Sequence, residues 1–231
     1  MKTYKQFCPI SRAAEIFAER WTPLIIRNMS LGCETFTQIR DGAPGLPKAV
    51  LARRLAMLEF EGVVTTRPAV RGRGRTYHLT SMGSELVDVC FALGNWGARW
   101  LEVGPEHIDA RVVLWSMAHL VDRSKLPEPR IVVRFDITDG HPDGCIWLVL
   151  ERDSVEVCTR DPGFDERMVV TASAGALAAW HMGRISMAAA RERGLIDVLG
   201  PPKLARALGT WGISPFAGIA PERESPALPA I

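Results

Sequence analysis

Apolar side chains recur at three- and four-residue spacing in four segments of the first 103 residues, which is the period of an amphipathic helix. The predicted helices are residues 11–20, 21–31, 47–61 and 82–101. A shorter helix over residues 35–41 is predicted by a capping box, in which the side chains of Thr35 and Gln38 bond each other's backbone N–H groups. Two β-branched or aromatic runs, residues 63–67 and 76–79, predict a hairpin before the last helix.

This order of helices and hairpin is that of a winged helix-turn-helix, in which the second helix of the motif enters the major groove of DNA. That helix is residues 47–61, where Leu51, Leu55 and Leu58 form one apolar stripe. Lys48 and Arg53 lie largely off the stripe. The pattern therefore predicts one buried face and one cationic face.

The distribution of charge supports a polyanionic partner. Residues 1–103 carry 14 Lys and Arg against nine Asp and Glu, whereas residues 104–231 carry 14 against 17. Between residues 46 and 79 there are seven basic side chains and two acidic ones. Such a local excess is the electrostatic footprint of a nucleic-acid partner, although a solvated cationic face is the alternative.

The predicted hairpin tip alternates arginine and glycine over residues 71–75. Glycine lets the backbone approach a surface closely, and arginine reaches phosphate or enters a narrow minor groove. Arg54 has a second interpretation, in which it supports the fold by pairing with Glu59 or another acid. The candidate DNA-binding residues are Thr37, Gln38, Lys48, Arg53, Arg54, Arg71, Arg73 and Arg75.

The long helix over residues 82–101 carries more apolar and aromatic surface than one small domain needs. The stripe comprises Leu86, Val89, Leu93, Trp96 and Trp100. Pairing with a second copy of the chain would bury it, and so would packing onto the second half.

Several motifs in this half, taken in order, resemble the HxlR family of winged-helix regulators over residues 7–102. They are residues 7–10, 20–26, 36–39, 51–59, 62–64, 77–83 and 93–97. The resemblance implies a homodimer with the first and last helices of the domain in the interface, and a recognition helix beginning near Pro47. Residues 46–51 differ from the small polar residues that relatives often carry there. The DNA sequence that relatives recognise is therefore not assigned to this chain.

The five cysteines are odd in number and form no CxxC pair, which argues against a disulfide framework or a structural zinc site. Some HxlR relatives use a cysteine at the position of Cys8 as a redox sensor. Redox sensing through Cys8 is therefore an alternative to regulation by a bound ligand, which is considered for the second half below. Redox sensing requires an exposed thiol with a lowered pKa.

The second half is predicted to contain five strands and three helices. The strands are residues 131–137, 145–151, 155–159, 167–171 and 195–199. The helices are residues 106–121, 174–182 and 202–208. Residues 110–212 resemble the sterol carrier protein type-two domain, through residues 169–173, 177–180, 182–186, 188–190 and 194–200. The resemblance implies a five-stranded sheet with covering helices around an apolar tunnel for lipid-like ligands.

The candidate ligand-binding residues are large apolar side chains predicted to line that tunnel, with an ordinary filled core as the alternative. They are Val133, Phe135, Ile146, Leu148, Val157, Trp180 and Ile185.

The predicted fold class is α+β, with a winged helix-turn-helix over residues 1–103, a smaller α/β domain over residues 104–214 and a loose tail over residues 215–231. Enzymatic activity is not predicted, because GxSxG, HExxH and phosphate-binding loops are lacking. Residues 139–144 predict a turn rather than a metal site, and no cofactor is expected. Without a signal or membrane-spanning run the chain is expected to be cytoplasmic. The predicted function is a dimeric, ligand-modulated DNA-binding regulator; a lipid-binding or interaction protein without effector control is a further alternative.

Overall fold

The computed structural model describes residues 3–69, 74–140 and 142–219. Its internal contacts divide the chain into two compact units, residues 1–94 and residues 95–231. The second unit is the longer, so the expectation of a smaller second domain is wrong. None of the described helices is long and apolar enough to cross a membrane.

The first unit contains the helices and the hairpin predicted from the sequence, in the predicted order. They are α1 (Pro9–Phe17), α2 (Thr22–Ser30), α3 (Phe36–Asp41), α4 (Lys48–Phe60), β1 (Val64–Pro68), β2 (Arg75–Leu79) and α5 (Ser81–Trp100). Helix α1 begins two residues before the predicted start and ends three residues before the predicted end, with Pro9 in its first turn.

The core of the first unit includes buried apolar side chains of α2, α3 and α4. The predicted stripe of α4 is buried: Leu51, Leu55 and Leu58 have almost no exposed surface. Ile25 of α2 and Ile39 of α3 are also fully buried. Burying a side chain of this size contributes roughly 1.5–3 kcal/mol, so the stripe fixes which face of α4 remains outside.

Polar contacts set the geometry between α2 and α3. The predicted capping box is present, with the Gln38 N–H donating to Thr35 Oγ1 at 3.3 Å and the Thr35 N–H donating to Gln38 Oε1 at 3.0 Å. The buried amide of Asn28 donates to the Ile39 carbonyl at 2.8 Å. Arg27 Nη2 donates to the Gly42 carbonyl at 2.6 Å, so α2 bonds both the body and the end of α3.

The second unit contains a five-stranded sheet, as predicted. Its elements are α6 (Ala110–Leu120), β3 (Arg130–Ile137), β4 (Cys145–Glu151), β5 (Val155–Cys158), β6 (Met168–Ala172), α7 (Ala174–His181), α8 (Met187–Glu192), β7 (Ile196–Leu199) and α9 (Pro202–Leu208). The strand order is β5-β4-β3-β6-β7, with β3 and β6 parallel and the other pairs antiparallel.

Two helices of this unit differ from the prediction. Helix α6 begins at Ala110, not near residue 106, because Asp109 caps it by accepting from the Arg111 N–H at 2.8 Å. Helix α8 was missed, since its alanine-rich turn shows no apolar stripe. Its signal was Ser186, whose hydroxyl accepts from the Ala189 N–H at 3.1 Å in front of a run of good helix formers.

Candidate nucleic-acid interface

The outer face of α4 is exposed, cationic and lined with small side chains. Lys48 and Arg53 are exposed, and neither forms an ion pair with another described residue. Ala49, Ala52 and Ala56 are exposed beside them, opposite the buried leucine stripe. Alanine lets a helix approach closely and can contact a thymine methyl group, whereas arginine and lysine bond guanine edges. This face therefore fits the floor of a major groove.

Arg54, one residue further along α4, points elsewhere. Its side chain is only 12% exposed and forms an ion pair with Glu19, which lies between α1 and α2 and is 39% exposed. This ion pair agrees with the alternative interpretation of Arg54, in which it supports the fold by pairing with Glu59 or another acid, and the acid is Glu19. The Glu59 carboxylate instead accepts from the Thr66 hydroxyl at 2.6 Å, joining α4 to the hairpin.

Thr37 and Gln38 lie in the first turn of α3 and are both exposed. The Oε1 of Gln38 is engaged by the N–H groups of Glu34 and Thr35, at 3.1 and 3.0 Å. The capping box thus fixes the Gln38 side chain at the start of α3, where Thr37 stays exposed to solvent.

The hairpin is fixed to the helices at its base. The Tyr77 N–H donates to the Glu34 carbonyl at 2.7 Å, so β2 is bonded to the segment before α3. The Thr80 hydroxyl donates to the Gly62 carbonyl at 2.7 Å, next to the end of α4. Gly62 has a φ of 78°, a conformation that side chains disfavour, and this ends α4 and directs the chain into β1.

The hairpin presents cations beyond the anchored base. Arg75 begins β2 and is exposed. Arg71 and Arg73 lie outside the described residues. Arg67 is an exposed cation absent from the predicted set; it lies in β1 opposite Thr76. Its position as the last residue of the predicted strand over residues 63–67 was the available signal.

Two thiols of the first unit are poor candidates for redox chemistry. Burial raises the pKa of Cys33 to about 12 and that of Cys90 to about 11, and the nearby Arg27 guanidinium offsets this only in part. Because the thiolate is the reactive form, both groups are unreactive near neutral pH. Cys8 is partly exposed and directly precedes α1. A redox role for Cys8 stays an alternative prediction.

The predicted apolar stripe of α5 lies in the open. Leu93 and Trp96 are 50% and 53% exposed, and Val89 and Trp100 are also exposed, whereas Leu86 is half-buried. On another side of the helix, the Cys90 thiol donates to the Pro23 carbonyl at 3.5 Å, so that side packs on α2. In a single copy of the chain the stripe is covered by water. Such exposure is unusual for a contiguous set of large apolar residues.

The seven candidate ligand-binding residues of the second unit come together in one apolar cluster. Five of them are buried: Val133, Phe135, Ile146, Leu148 and Trp180. The other two, Val157 and Ile185, are half-buried and pack against the cluster. The cluster lies between one face of the sheet and helices α6 and α7.

A buried polar group at the end of α7 was not predicted from the sequence. The His181 Nδ1–H donates to the Gly212 carbonyl at 2.5 Å, and Nε2 lies 3.2 Å from the Ser116 hydroxyl of α6. Burial lowers the pKa of His181, which favours the neutral ring. The histidine therefore ties α6, α7 and the segment after α9 together; the separations of 65 and 31 residues gave no sequence signal.

The polar turn at residues 139–144 has a structural use. Asp139 Oδ2 accepts from the Ala174 N–H at 2.8 Å, at the start of α7. His141 lies outside the described residues. Among the described residues, no group of three or more His, Cys, Asp and Glu side chains is placed to hold a metal ion.

Residues 16–105 match the model of the family described as HxlR-like helix-turn-helix. The chain is 31% identical over 106 residues to YvaP of Bacillus subtilis, an uncharacterized HTH-type transcriptional regulator, and the match covers 45% of this chain and 96% of YvaP. It is 31% identical over 134 residues to Rv3095 of Mycobacterium tuberculosis, described in the same words, with coverage of 52% and 84%. Among solved structures, the reduced form of the transcriptional regulator YodB from B. subtilis is 28% identical, with a TM-score of 0.37 and coverage of 43% and 99%.

Proposed function

The chain belongs to the HxlR-like helix-turn-helix family of transcriptional regulators, and we propose that it binds operator DNA as a homodimer, with a small apolar molecule as its input. The observation that carries the DNA-binding proposal is the outer face of α4. Two exposed cations without ion-pair partners among the described residues flank small side chains there, opposite a buried stripe.

In this proposal α4 lies in the major groove. Lys48 and Arg53 bond base edges or phosphates, and the exposed alanines allow the helix to sit deep enough for these contacts. Thr37 and Gln38 at the start of α3 face the sugar-phosphate backbone, which positions the motif without specifying sequence. In this proposal Arg75, at the start of β2, also contacts the duplex. Arg71 and Arg73, which lie outside the described residues, are predicted to contact it as well.

The exposed stripe of α5 supports the homodimer part of the proposal. A second copy would cover Leu93, Trp96 and their neighbours with the same residues, as an isologous two-fold interface requires. Two α4 helices related by that axis would read half-sites one helical turn apart, about 34 Å along the duplex.

Selection from random duplexes, followed by footprinting on the recovered sequences, tests the DNA-binding proposal. We expect a palindromic site with two protected half-sites. If no duplex is retained even at low salt, the winged helix is a protein-binding surface and the proposal fails.

Neutralising the hairpin tip is expected to weaken binding to all DNA sequences equally. Each phosphate contact adds roughly 0.9 to the slope of log affinity against log salt, so R73A/R75A should flatten that slope by about two per protomer. Fluorescence anisotropy at several salt concentrations measures both quantities on operator and random DNA. Lys203→Ala, an exposed cation of the second unit, is the matched control and should leave them unchanged. An unaltered slope in R73A/R75A would exclude the tip from the interface.

The proposed input is a small apolar ligand in the cluster of the second unit. Its support is the convergence of the seven candidate residues on one cluster and the resemblance of that half to a lipid-carrier domain. Such a ligand regulates only if its affinity differs between the DNA-competent and DNA-incompetent states. Native mass spectrometry of freshly purified protein measures the subunit count and any co-purified molecule in one experiment.

A further inference from the structure

The indole N–H of Trp180 is buried without a hydrogen-bond partner. Trp180 is 1% exposed, and its Nε1 atom has neither solvent contact nor an acceptor. Buried tryptophan N–H groups ordinarily find an acceptor, because desolvating a donor without one is unfavourable. On β4, by contrast, the Trp147 N–H donates to Glu166 Oε1 at 2.8 Å.

The polar groups nearest to Trp180 along the chain already have partners. Its neighbour His181 donates to the Gly212 carbonyl and lies within hydrogen-bond distance of the Ser116 hydroxyl. Ser214, the other buried polar side chain described in this unit, accepts at its Oγ from the Phe216 N–H at 3.2 Å. The orphan donor thus belongs to the apolar cluster and not to this polar network.

We propose that Trp180 donates a hydrogen bond to an oxygen of the ligand, and that the ligand is an uncharged, mainly apolar molecule with a ketone, ester or similar acceptor. This rests on the proposed ligand input and specifies its chemistry. The surrounding aliphatic and aromatic side chains bind the body of the molecule, and the single donor fixes its orientation.

The absence of a charge on the ligand follows from the buried groups around the cluster. No lysine or arginine is among the buried side chains described in this unit. Burial lowers the pKa of His181, so its ring is neutral near pH 7 and offers no counter-charge. A carboxylate bound here would be buried without a cation, which costs far more than burying a neutral carbonyl.

A cycle of matched probes and variants isolates the bond. The probes are two pairs that differ in one carbonyl group: 2-acetylnaphthalene with 2-ethylnaphthalene, and 2-tridecanone with tridecane. The proteins are the full-length wild type, Trp180→Phe and, as matched control, Trp147→Phe, whose lost N–H bonds Glu166. Affinities are measured by fluorescence for the aromatic pair and by competition with it for the aliphatic pair.

We expect the wild type and Trp147→Phe to bind the ketone of at least one pair about tenfold more tightly than the hydrocarbon, and Trp180→Phe to bind both members equally. Equal binding of ketone and hydrocarbon by the wild type would refute the role of Trp180 while leaving an apolar ligand site in place. A ketone preference that persists in folded Trp180→Phe would refute it too. If none of the four probes binds the wild type, the proposal that the second unit binds a small apolar ligand fails. If Trp180→Phe does not fold, the comparison of ketone and hydrocarbon binding by the wild type still tests whether a buried donor contacts the ligand.

Discussion

Replacing Lys48 and Arg53 together by glutamine is expected to lower the affinity for operator DNA by about 100-fold, because each well-placed contact to a base contributes roughly 1–3 kcal/mol. Both side chains are exposed on the outer face of α4, so the melting temperature of the protein should stay unchanged. Loss of the operator preference over random DNA would separate base contacts from phosphate contacts. Anisotropy titrations with both duplexes, at one fixed salt concentration, measure this.

Arg54→Gln is the control, since it removes one positive charge from the same helix, one residue beyond Arg53. The Arg54 side chain is 12% exposed and paired with Glu19. We therefore expect a loss of about 2 kcal/mol in the free energy of unfolding, with DNA affinity kept at temperatures where the variant is folded. Wild-type affinity in Lys48→Gln/Arg53→Gln would remove α4 from the proposed interface. A loss in Arg54→Gln as large as in the double variant would show that charge anywhere on the helix suffices.

The contrast between these neighbouring arginines shows how far sequence reasoning reaches. Leu51, Leu55 and Leu58 are spaced so that only one face of α4 can be buried, and the pattern predicted that face. The partner of Arg54 was beyond such reasoning, because Glu19 is 35 residues away and reaches it only through the packing of the unit. Local periodicity predicts faces, whereas pairings between distant elements depend on the tertiary fold.

The candidate ligand-binding cluster of the second unit shows the same contrast between local patterns and features that depend on the tertiary fold. Val133, Phe135 and Ile146 could be selected from the sequence as large apolar residues of predicted strands, and they lie together in one cluster. The orphaned N–H of Trp180 could not be predicted, since satisfaction of a donor depends on every atom around it. A sequence pattern can identify a tryptophan as a core residue, but it does not show whether the indole N–H has an acceptor in that core.

Placing glutamate at Leu93 and Trp96 is expected to convert the proposed dimer into monomers. Both side chains are about half exposed in the stripe of α5, where a second copy would bury them. A buried, unpaired carboxylate on each side of the two-fold axis opposes association far more than the same change opposes folding. Because two linked half-site contacts bind more tightly than either alone, operator affinity should fall by about 1,000-fold while half-site affinity stays nearly constant. Sedimentation equilibrium and anisotropy on full and half operators measure these effects.

Leu199→Glu, at a 71% exposed leucine of β7, introduces the same chemistry outside the stripe and should leave both the mass and the affinity unchanged. A Leu93→Glu/Trp96→Glu protein that remains dimeric would place the two-fold interface elsewhere. One that becomes monomeric but keeps full operator affinity would break the link between dimerisation and recognition.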